Sequence, residues 1–355
     1  MRLAQELNRR GYEAAIFTRS PAERHPEAPE IAVIGEEGPT SLLVAERLRR
    51  RIRGYGPSDL IIEYTPHMLG ASRWGSPAVL WLMSSMRSLG VNVVLLAHEL
   101  FLPWRLRPDL ALGAASTRMQ LAALMRAANR TLVTMDMRVS EVASFSAVLR
   151  LPLPGVVRVG PNAIPLPPVR RHDRLRLGVF STLASTKRFD VVLDCFAEVQ
   201  RVRPTAELVL LGDLGDQHNG GFRRLHEAIQ RHPAAARIHV PGRLDLGEVA
   251  RQVAEIDVYL FPMVSGANTR SGTLPLALGT GLPVVATRGY ETDSLFIDGV
   301  NVLFADMLSG SEFARAVLRL TEDDSLRERL YAGARRCYDQ HFSWERIGEQ
   351  FLAQI

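Results

Sequence analysis

The 355-residue chain has almost no lysine and almost no cysteine: Lys187 stands alone against 42 arginines, and Cys195 and Cys337 are the only thiols. Two cysteines cannot frame a disulfide scaffold, and Cys195 falls in an apolar helical pattern where a buried free thiol is the usual state, so a reducing cytoplasmic compartment is expected. No run of about 18 uninterrupted apolar residues occurs, so a helical membrane span is not expected. The opening Met1-Arg2-Leu3-Ala4-Gln5-Glu6-Leu7-Asn8-Arg9-Arg10 alternates polar and apolar residues and lacks the apolar core of a signal peptide. No aromatic-rich binding motif accompanies the arginines, so nucleic acid is not the expected partner.

Hydrophobic content of 46% and charged content of 23% describe an ordinary globular chain, long enough for two domains that each bury a core. The net charge of +5 is unevenly spread: residues 1–170 hold 21 arginines against 14 acidic residues, a surplus that the remainder does not share. Basic residues cluster in Glu46-Arg47-Leu48-Arg49-Arg50-Arg51-Ile52-Arg53 and Trp104-Arg105-Leu106-Arg107. Such a surface suits an anionic membrane face or a phosphorylated acceptor, and equally a solvated helix face.

Strand-like and helical patterns alternate along nearly the whole chain, the signature of parallel sheets covered by helices. The first half predicts strands at 12–17, 31–34, 60–63, 91–97, 132–135 and 156–159, with helices at 41–53, 77–89, 110–128 and 138–149. A proline-rich stretch, Pro161-Asn162-Ala163-Ile164-Pro165-Leu166-Pro167-Pro168, interrupts the pattern and marks a boundary. Strands are predicted again at 175–180, 207–211, 237–240, 258–261, 283–286 and 302–304. The expected fold is α/β, with two doubly wound Rossmann-like domains facing across a cleft: residues 1–163, residues 164–340, and a C-terminal helix in 341–355 packing back on the first domain. In such sheets ligands bind at the carboxyl ends of the strands.

Lys187 falls at such an end, in the polar loop Ser181-Thr182-Leu183-Ala184-Ser185-Thr186-Lys187 between a strand and a helix start, where free N–H groups and the helix dipole suit a phosphate, although position alone favours a lysine on a solvated face. A second loop follows the strand ending at Phe261. There Arg270, the hydroxyls of Ser271 and Thr273, Gly272 and the free N–H groups of a helix starting near Ser271 are expected to converge as an anion cradle, although the stretch taken alone is read equally as a glycine-serine turn with a satisfied cap.

The run Gly279-Thr280-Gly281-Leu282-Pro283-Val284-Val285-Ala286-Thr287 resembles the second domain of glycosyltransferase family 4, retaining nucleotide-sugar transferases of GT-B fold. Gly160-Pro161-Asn162-Ala163-Ile164, Leu208-Val209-Leu210-Leu211-Gly212-Asp213 and Phe342-Ser343-Trp344-Glu345 resemble further family segments in the same order. The resemblance implies transfer of a sugar from a nucleoside diphosphate sugar to a hydroxyl acceptor, in cell-surface glycan or glycolipid synthesis, with no metal or other cofactor. Lys187 matches the lysine that holds the donor diphosphate. Thr182 stands where the family has an arginine, and Arg188 or Arg270 is the expected source of the missing charge. Gly242 and Arg243 match the segment that meets the nucleotide base, and His98 matches a histidine near the reacting sugar. The acceptor is expected to be lipid-linked or anionic, with peripheral membrane contact through the basic first domain.

Two departures accompany the resemblance. The family's glutamate pair aligns with Asn268 and Leu276; Asn268 retains the ability to hydrogen-bond a sugar, while Leu276 does not replace its counterpart, and Arg270-Ser271-Gly272-Thr273-Leu274 has the form of a turn used by a subgroup. The opening strand and glycine-rich loop of the family have no counterpart before Arg2. A non-catalytic relative that binds nucleotide sugars or serves as a partner subunit is the alternative reading. An epimerase of similar shape finds no acidic and histidine set in the first domain.

Overall fold

The computed structural model describes residues 1–18, 30–35, 41–66, 77–102, 108–169, 174–184, 186–215 and 220–355; the basic segment 104–107 and Ser185 lie outside them. Two compact units are present, one of Met1–Arg158 with Ile347–Ile355 and one of Val159–Arg346.

The first unit runs α1 (Arg2–Arg9), β1 (Ala15–Thr18), β2 (Ala32–Gly35), α2 (Leu42–Tyr55), β3 (Asp59–Tyr64), α3 (Pro77–Ser88), β4 (Asn92–Ala97), α4 (Pro108–Ala127), β5 (Arg130–Val133), α5 (Asp136–Leu149) and β6 (Gly155–Val156). Among the described residues its strands form two sheets, the parallel pair β1-β2 and the parallel four-stranded β3-β4-β5-β6. Strand β4 is central and its residues Val93–Ala97 are buried, which is why that segment reads as a continuous apolar run. Helix α2 starts at Ser41, whose side chain accepts from the Val44 N–H at 3.3 Å, and stops at Gly56 in the left-handed region. Leu48 and Ile52 of α2 pack into the cluster around Met83, Met86 and Leu95. The final residues join this unit: Gln354 Nε2 donates to Val156 O at 2.9 Å.

The second unit runs β7 (Arg176–Phe180), α6 (Phe189–Val202), β8 (Glu207–Leu211), α7 (Gly220–Arg231), β9 (Ile238–His239), α8 (Leu246–Ala254), β10 (Val258–Phe261), α9 (Thr273–Thr280), β11 (Val284–Thr287), β12 (Leu303–Ala305), α10 (Gly310–Glu322), α11 (Asp324–His341) and α12 (Trp344–Leu352), the last ending in the first unit. Its six strands are parallel in the order β12-β11-β10-β7-β8-β9. One face packs on α6 and α10 through Val192, Phe196, Phe313 and Val317, and the other through Tyr259, Leu274, Leu278 and Tyr338. The predicted strand at 237–240 shrinks to two residues, because a 3₁₀ turn occupies Ala235–Arg237 and Pro241 lacks the N–H to extend a ladder. Helix α9 begins at Thr273, after Gly272, and not at Ser271. Trp344 Nε1 donates to Pro161 O at 2.7 Å, so two of the segments that carried the family resemblance hold each other.

Helices α6 and α10 cross closely because α10 presents a glycine: a Cβ at Gly310 would lie 2.4 Å from Asp194 Cβ and 2.9 Å from Cys195 N. Gly310→Ala should therefore overpack this crossing and cost about 1–3 kcal/mol of stability. Chemical denaturation checks this, and unchanged stability would show that the helices separate freely.

Candidate functional site at the carboxyl ends of β7 and β10

The chain moves from β7 outward through β8 to β9, then returns to the other side of β7 with β10, β11 and β12. Strand order reverses between β7 and β10, and a crevice at such a switch point is where open α/β sheets bind ligands. The ladder between these strands ends early: Val258 pairs with Leu177 and Tyr259 with Gly178, while β7 stays with β8 to Phe180 and β10 with β11 to Phe261. Past Gly178 the two strands part.

The loops leaving them are tied together. Lys187 and Met263 form an antiparallel bridge, Arg188 N donates to Pro262 O at 3.1 Å, and Val264 N donates to Thr186 O at 3.0 Å. Lys187 is thereby fixed over a small apolar pocket that includes Val179, Phe189, Leu260 and Met263. The side chain is half-buried, and its ammonium has no hydrogen-bond or ion-pair partner among the described residues. Burial, and then the nearby positive charge of Arg270, lower its pKa. A desolvated cation beside a second cation is costly alone and is relieved by an anion.

Arg270 is close enough to Lys187 for its charge to act there, but its guanidinium is engaged: Nη2 lies 3.2 Å from Oε2 of Glu291, a carboxylate only 11% exposed. Glu291 comes from the loop after β11, which lies against the loop after β10 through Glu291 N to Ser265 O at 2.8 Å and Asp293 N to Ala267 O at 2.9 Å. Glycines permit that contact. Gly266 has φ +87°, and a Cβ there would fall 2.5 Å from Gly289 N and 2.1 Å from Thr292 Oγ1.

Arg188 does not supply a free charge. It forks onto Asp190 in the first turn of α6, with Nε at 2.8 Å from Oδ1, and this pairing lowers the Asp190 pKa. The start of α6 therefore already carries its own carboxylate, while the Lys187 ammonium next to it has none. Thr182 is exposed in the same loop.

Asn268 is 1% exposed and spends its carboxamide inside the turn: Nδ2 donates to Ser265 Oγ and Gly266 O, each at 3.2 Å, and Oδ1 accepts from Arg270 N at 3.3 Å. Its place is that of a turn organiser, in contrast to the sugar contact that its chemistry allowed. Leu276 is buried in the core. Ser271, Gly272 and Thr273 are half-buried at the start of α9, with the two hydroxyls 3.0 Å apart. Gly242 and Arg243 are exposed beyond β9, at the far edge of the sheet.

His98 belongs to the first unit. It follows β4, donates its backbone N–H to Tyr64 O at 2.9 Å, and holds Nε2 3.8 Å from Oε2 of Glu63, a pairing that acts as an ion pair when the ring is protonated.

Two residues escaped sequence reasoning. Glu291 is 21 positions from its partner Arg270 and reads as one more acid in a polar loop. Tyr259 reads as a core strand residue, yet its buried hydroxyl donates to Phe180 O at 3.0 Å and accepts from Phe180 N at 3.3 Å. Burial pushes its pKa up to about 12. The only signal was a phenol where an apolar ring would have sufficed. No group of three or more metal-ligating side chains occurs among the described residues.

Comparison with known proteins agrees with this architecture. Residues 1–166 match the family model described as Glycosyltransferase Family 4, and residues 174–323 match that of Glycosyl transferases group 1. The lipopolysaccharide core biosynthesis glycosyltransferase LpsE of Rhizobium meliloti (strain 1021) is 28% identical over 166 residues, covering 47% of this chain and 45% of that protein. The matches thus span less than half the length of the curated relatives. Among solved structures, sucrose-phosphate synthase from Thermosynechococcus elongatus gives a TM-score of 0.73 at 18% identity, covering 99% of this chain and 90% of that one. HepE of Anabaena, solved with UDP and glucose, gives 0.72 at 17% identity, covering 99% and 94%. The chain thus joins a glycosyltransferase family 4 domain to a glycosyl transferases group 1 domain, in the GT-B fold.

Proposed function

We propose that this protein transfers a sugar from a nucleoside diphosphate sugar to a hydroxyl acceptor with retention of anomeric configuration, and that Lys187 receives the donor diphosphate. The observation that carries this reading is a half-buried ammonium without a counter-ion, set at the switch point beside Arg270. Structures of the Anabaena relative with UDP and with UDP-glucose support a nucleotide-sugar donor. As the glycosidic bond breaks, the departing diphosphate gains negative charge while the sugar becomes oxocarbenium-like. Stabilising that leaving group is the main catalytic task, and fixed cations in a partly dry site do it without reorganisation. Lys187 supplies a compact charge, Arg270 a second one held in place by Glu291, and the first N–H groups of α9 the dipole end. In this proposal His98 addresses the reacting sugar, Gly242 and Arg243 the base, and the chemistry needs no metal.

The acceptor is proposed to be lipid-linked at the cytoplasmic membrane face. Helix α2 carries five arginines against one glutamate, with Leu43 82% exposed on the same face as Arg47 and Arg50. Glu46 is committed to Arg49 and Arg50, whose hydrogen bonds lower its pKa to about 2. No helix among the described residues is long and apolar enough to cross a membrane.

Lys187→Ala should lower turnover by about 100- to 1,000-fold with UDP-glucose as donor while circular dichroism stays unchanged. Turnover like that of the wild type would remove Lys187 from the mechanism, and nucleotide binding without any transfer would favour the non-catalytic alternative.

The pH dependence follows from the lowered Lys187 pKa. Only the ammonium attracts phosphate, so diphosphate affinity should be full at neutral pH. It should fall as pH rises through a point below the ordinary lysine value of about 10.4. Lys187→Arg, which keeps its charge, should flatten that fall. Calorimetric titration of UDP across alkaline pH decides; identical profiles for both proteins would overturn the assignment.

Flotation should recover the protein with vesicles containing phosphatidylglycerol and not with pure phosphatidylcholine, and Arg47→Glu with Leu43→Asp should abolish recovery, each basic contact contributing about 1 kcal/mol. Indifference to lipid charge would exclude the surface.

A further inference from the structure

Lys187 carries the only side-chain amine of the chain, since every other basic residue among its lysines and arginines is an arginine. A guanidinium stays protonated and is no nucleophile near neutral pH, whereas an amine that sheds its proton attacks electrophilic carbon. What surrounds Lys187 therefore decides its chemistry. The ammonium finds no partner among the described residues, and two carboxylates of the surrounding loops are engaged elsewhere: Asp190 with Arg188 Nε at 2.8 and 3.0 Å, and Glu291 with Arg270 Nη2 at 3.2 Å. The pocket at its stem is walled by Val179, Phe189, Val192, Leu260 and Met263, which hydrate no charge. Little holds the proton in place.

Arg270 supplies the second half of a site. Its charge acts at Lys187, and it is kept there by Glu291 and by the backbone contact of the two loops at Gly266 and Gly289. A small phosphate-bearing anion drawn to these two cations brings whatever it carries to the amine. In an acyl phosphate that cargo is an activated carbonyl carbon. The uncharged Nζ attacks it, a C–N bond forms, the bond from the acyl carbon to the bridging oxygen breaks, and inorganic phosphate leaves with the electron pair. The amine proton passes to water, and no further reactant is needed. The product is an amide, which carries no charge.

We infer that Lys187 is an acylation site that takes the acyl group of an acyl phosphate directly, and that the resulting amide closes the site to the nucleotide-sugar donor. The second part rests on the proposed donor reading, while the first needs only the amine and its neighbouring cation. Donor and acyl phosphate seek the same two charges, so each excludes the other. Arginine at this position would hold an anion equally well and escape the reaction, which gives the lone lysine of an arginine-rich chain a chemical consequence.

The test is incubation of the full chain with acetyl phosphate, followed by denaturation and digestion with a lysine-specific endoproteinase. That enzyme cuts this chain only after Lys187, and acetylation blocks the cut. Lys187 in the folded protein should react about tenfold faster than the same lysine in an end-capped peptide of residues 182–192, because the reagent is gathered beside it. Arg270→Gln with Glu291→Gln removes the second cation without stranding a carboxylate. That variant should slow acetyl phosphate more than the uncharged reagent 4-nitrophenyl acetate. A folded lysine no faster than the peptide, or equal slowing of both reagents, would overturn the site. Calorimetric titration then tests the consequence: the acetylated protein should bind UDP at least about tenfold more weakly, the loss of one charged hydrogen bond. Rapid acetylation with UDP affinity unchanged would overturn the closure and take the diphosphate away from Lys187, while the acylation site itself would stand.

Discussion

The second unit is organised by the place where β7 and β10 stop pairing. Each strand keeps its outer partner for further residues, so the two are pulled apart at their carboxyl ends and not simply frayed. Parting buried strands exposes backbone groups, and each one left unsatisfied costs about 1–3 kcal/mol. At Phe180 the Tyr259 hydroxyl meets both the N–H and the C=O, standing in for a strand that is no longer there. Lower down the loops, the bridge between Lys187 and Met263 resumes the connection. An opening closed at both ends in this way can persist without a ligand, and the site residues hang from its rim.

The electrostatics of the rim are uneven. Arg270 has a nearly buried carboxylate for a partner, so its charge is locally balanced and its orientation fixed. Lys187 has neither, and the cost of keeping it charged shows in the lowered pKa. A guanidinium can be shared, since its planar fork offers several donors, whereas a single ammonium is most useful when uncommitted. The site therefore combines one cation that is already positioned with one that gains most from an incoming anion. The carboxylate in this neighbourhood comes from the loop after β11, while Asn268 and Leu276 serve the turn and the core.

Most elements were legible in the sequence because parallel strands buried on both faces give short apolar runs. The segments 207–211 and 258–261 end where the pattern ends. Lys187 stood out as the single exception to an arginine-only composition at a strand end, but only the ordered family segments favoured a ligand-holding role for it over a solvated loop lysine. The failures share a cause, which is that side-chain type does not reveal where a proton or a lone pair is spent. Asn268 looks able to meet a sugar, but its amide is consumed within three residues of itself. Arg188 looks like a spare charge, but Asp190 lies two positions away and takes it. Glu291 and Tyr259 were invisible for the opposite reason, since their partners lie 21 and 79 residues distant and only the fold brings them together.

The same reasoning separates what can vary in this site from what cannot. The loops after β10 and β11 touch backbone to backbone at Gly266 and Gly289, so the distance between Arg270 and Glu291 is set by main chain and not by side-chain choice. Changing either loop's length would move both charges at once. Lys187 is held by a different constraint, the antiparallel bridge to Met263, and its reach depends on a flexible four-carbon stem above an apolar pocket. A ligand that shifts within the crevice can therefore be followed by the ammonium but not by the guanidinium. The main chain at both positions is held by these contacts, so what differs is the freedom of the two side chains, paired for Arg270 and unpaired for Lys187.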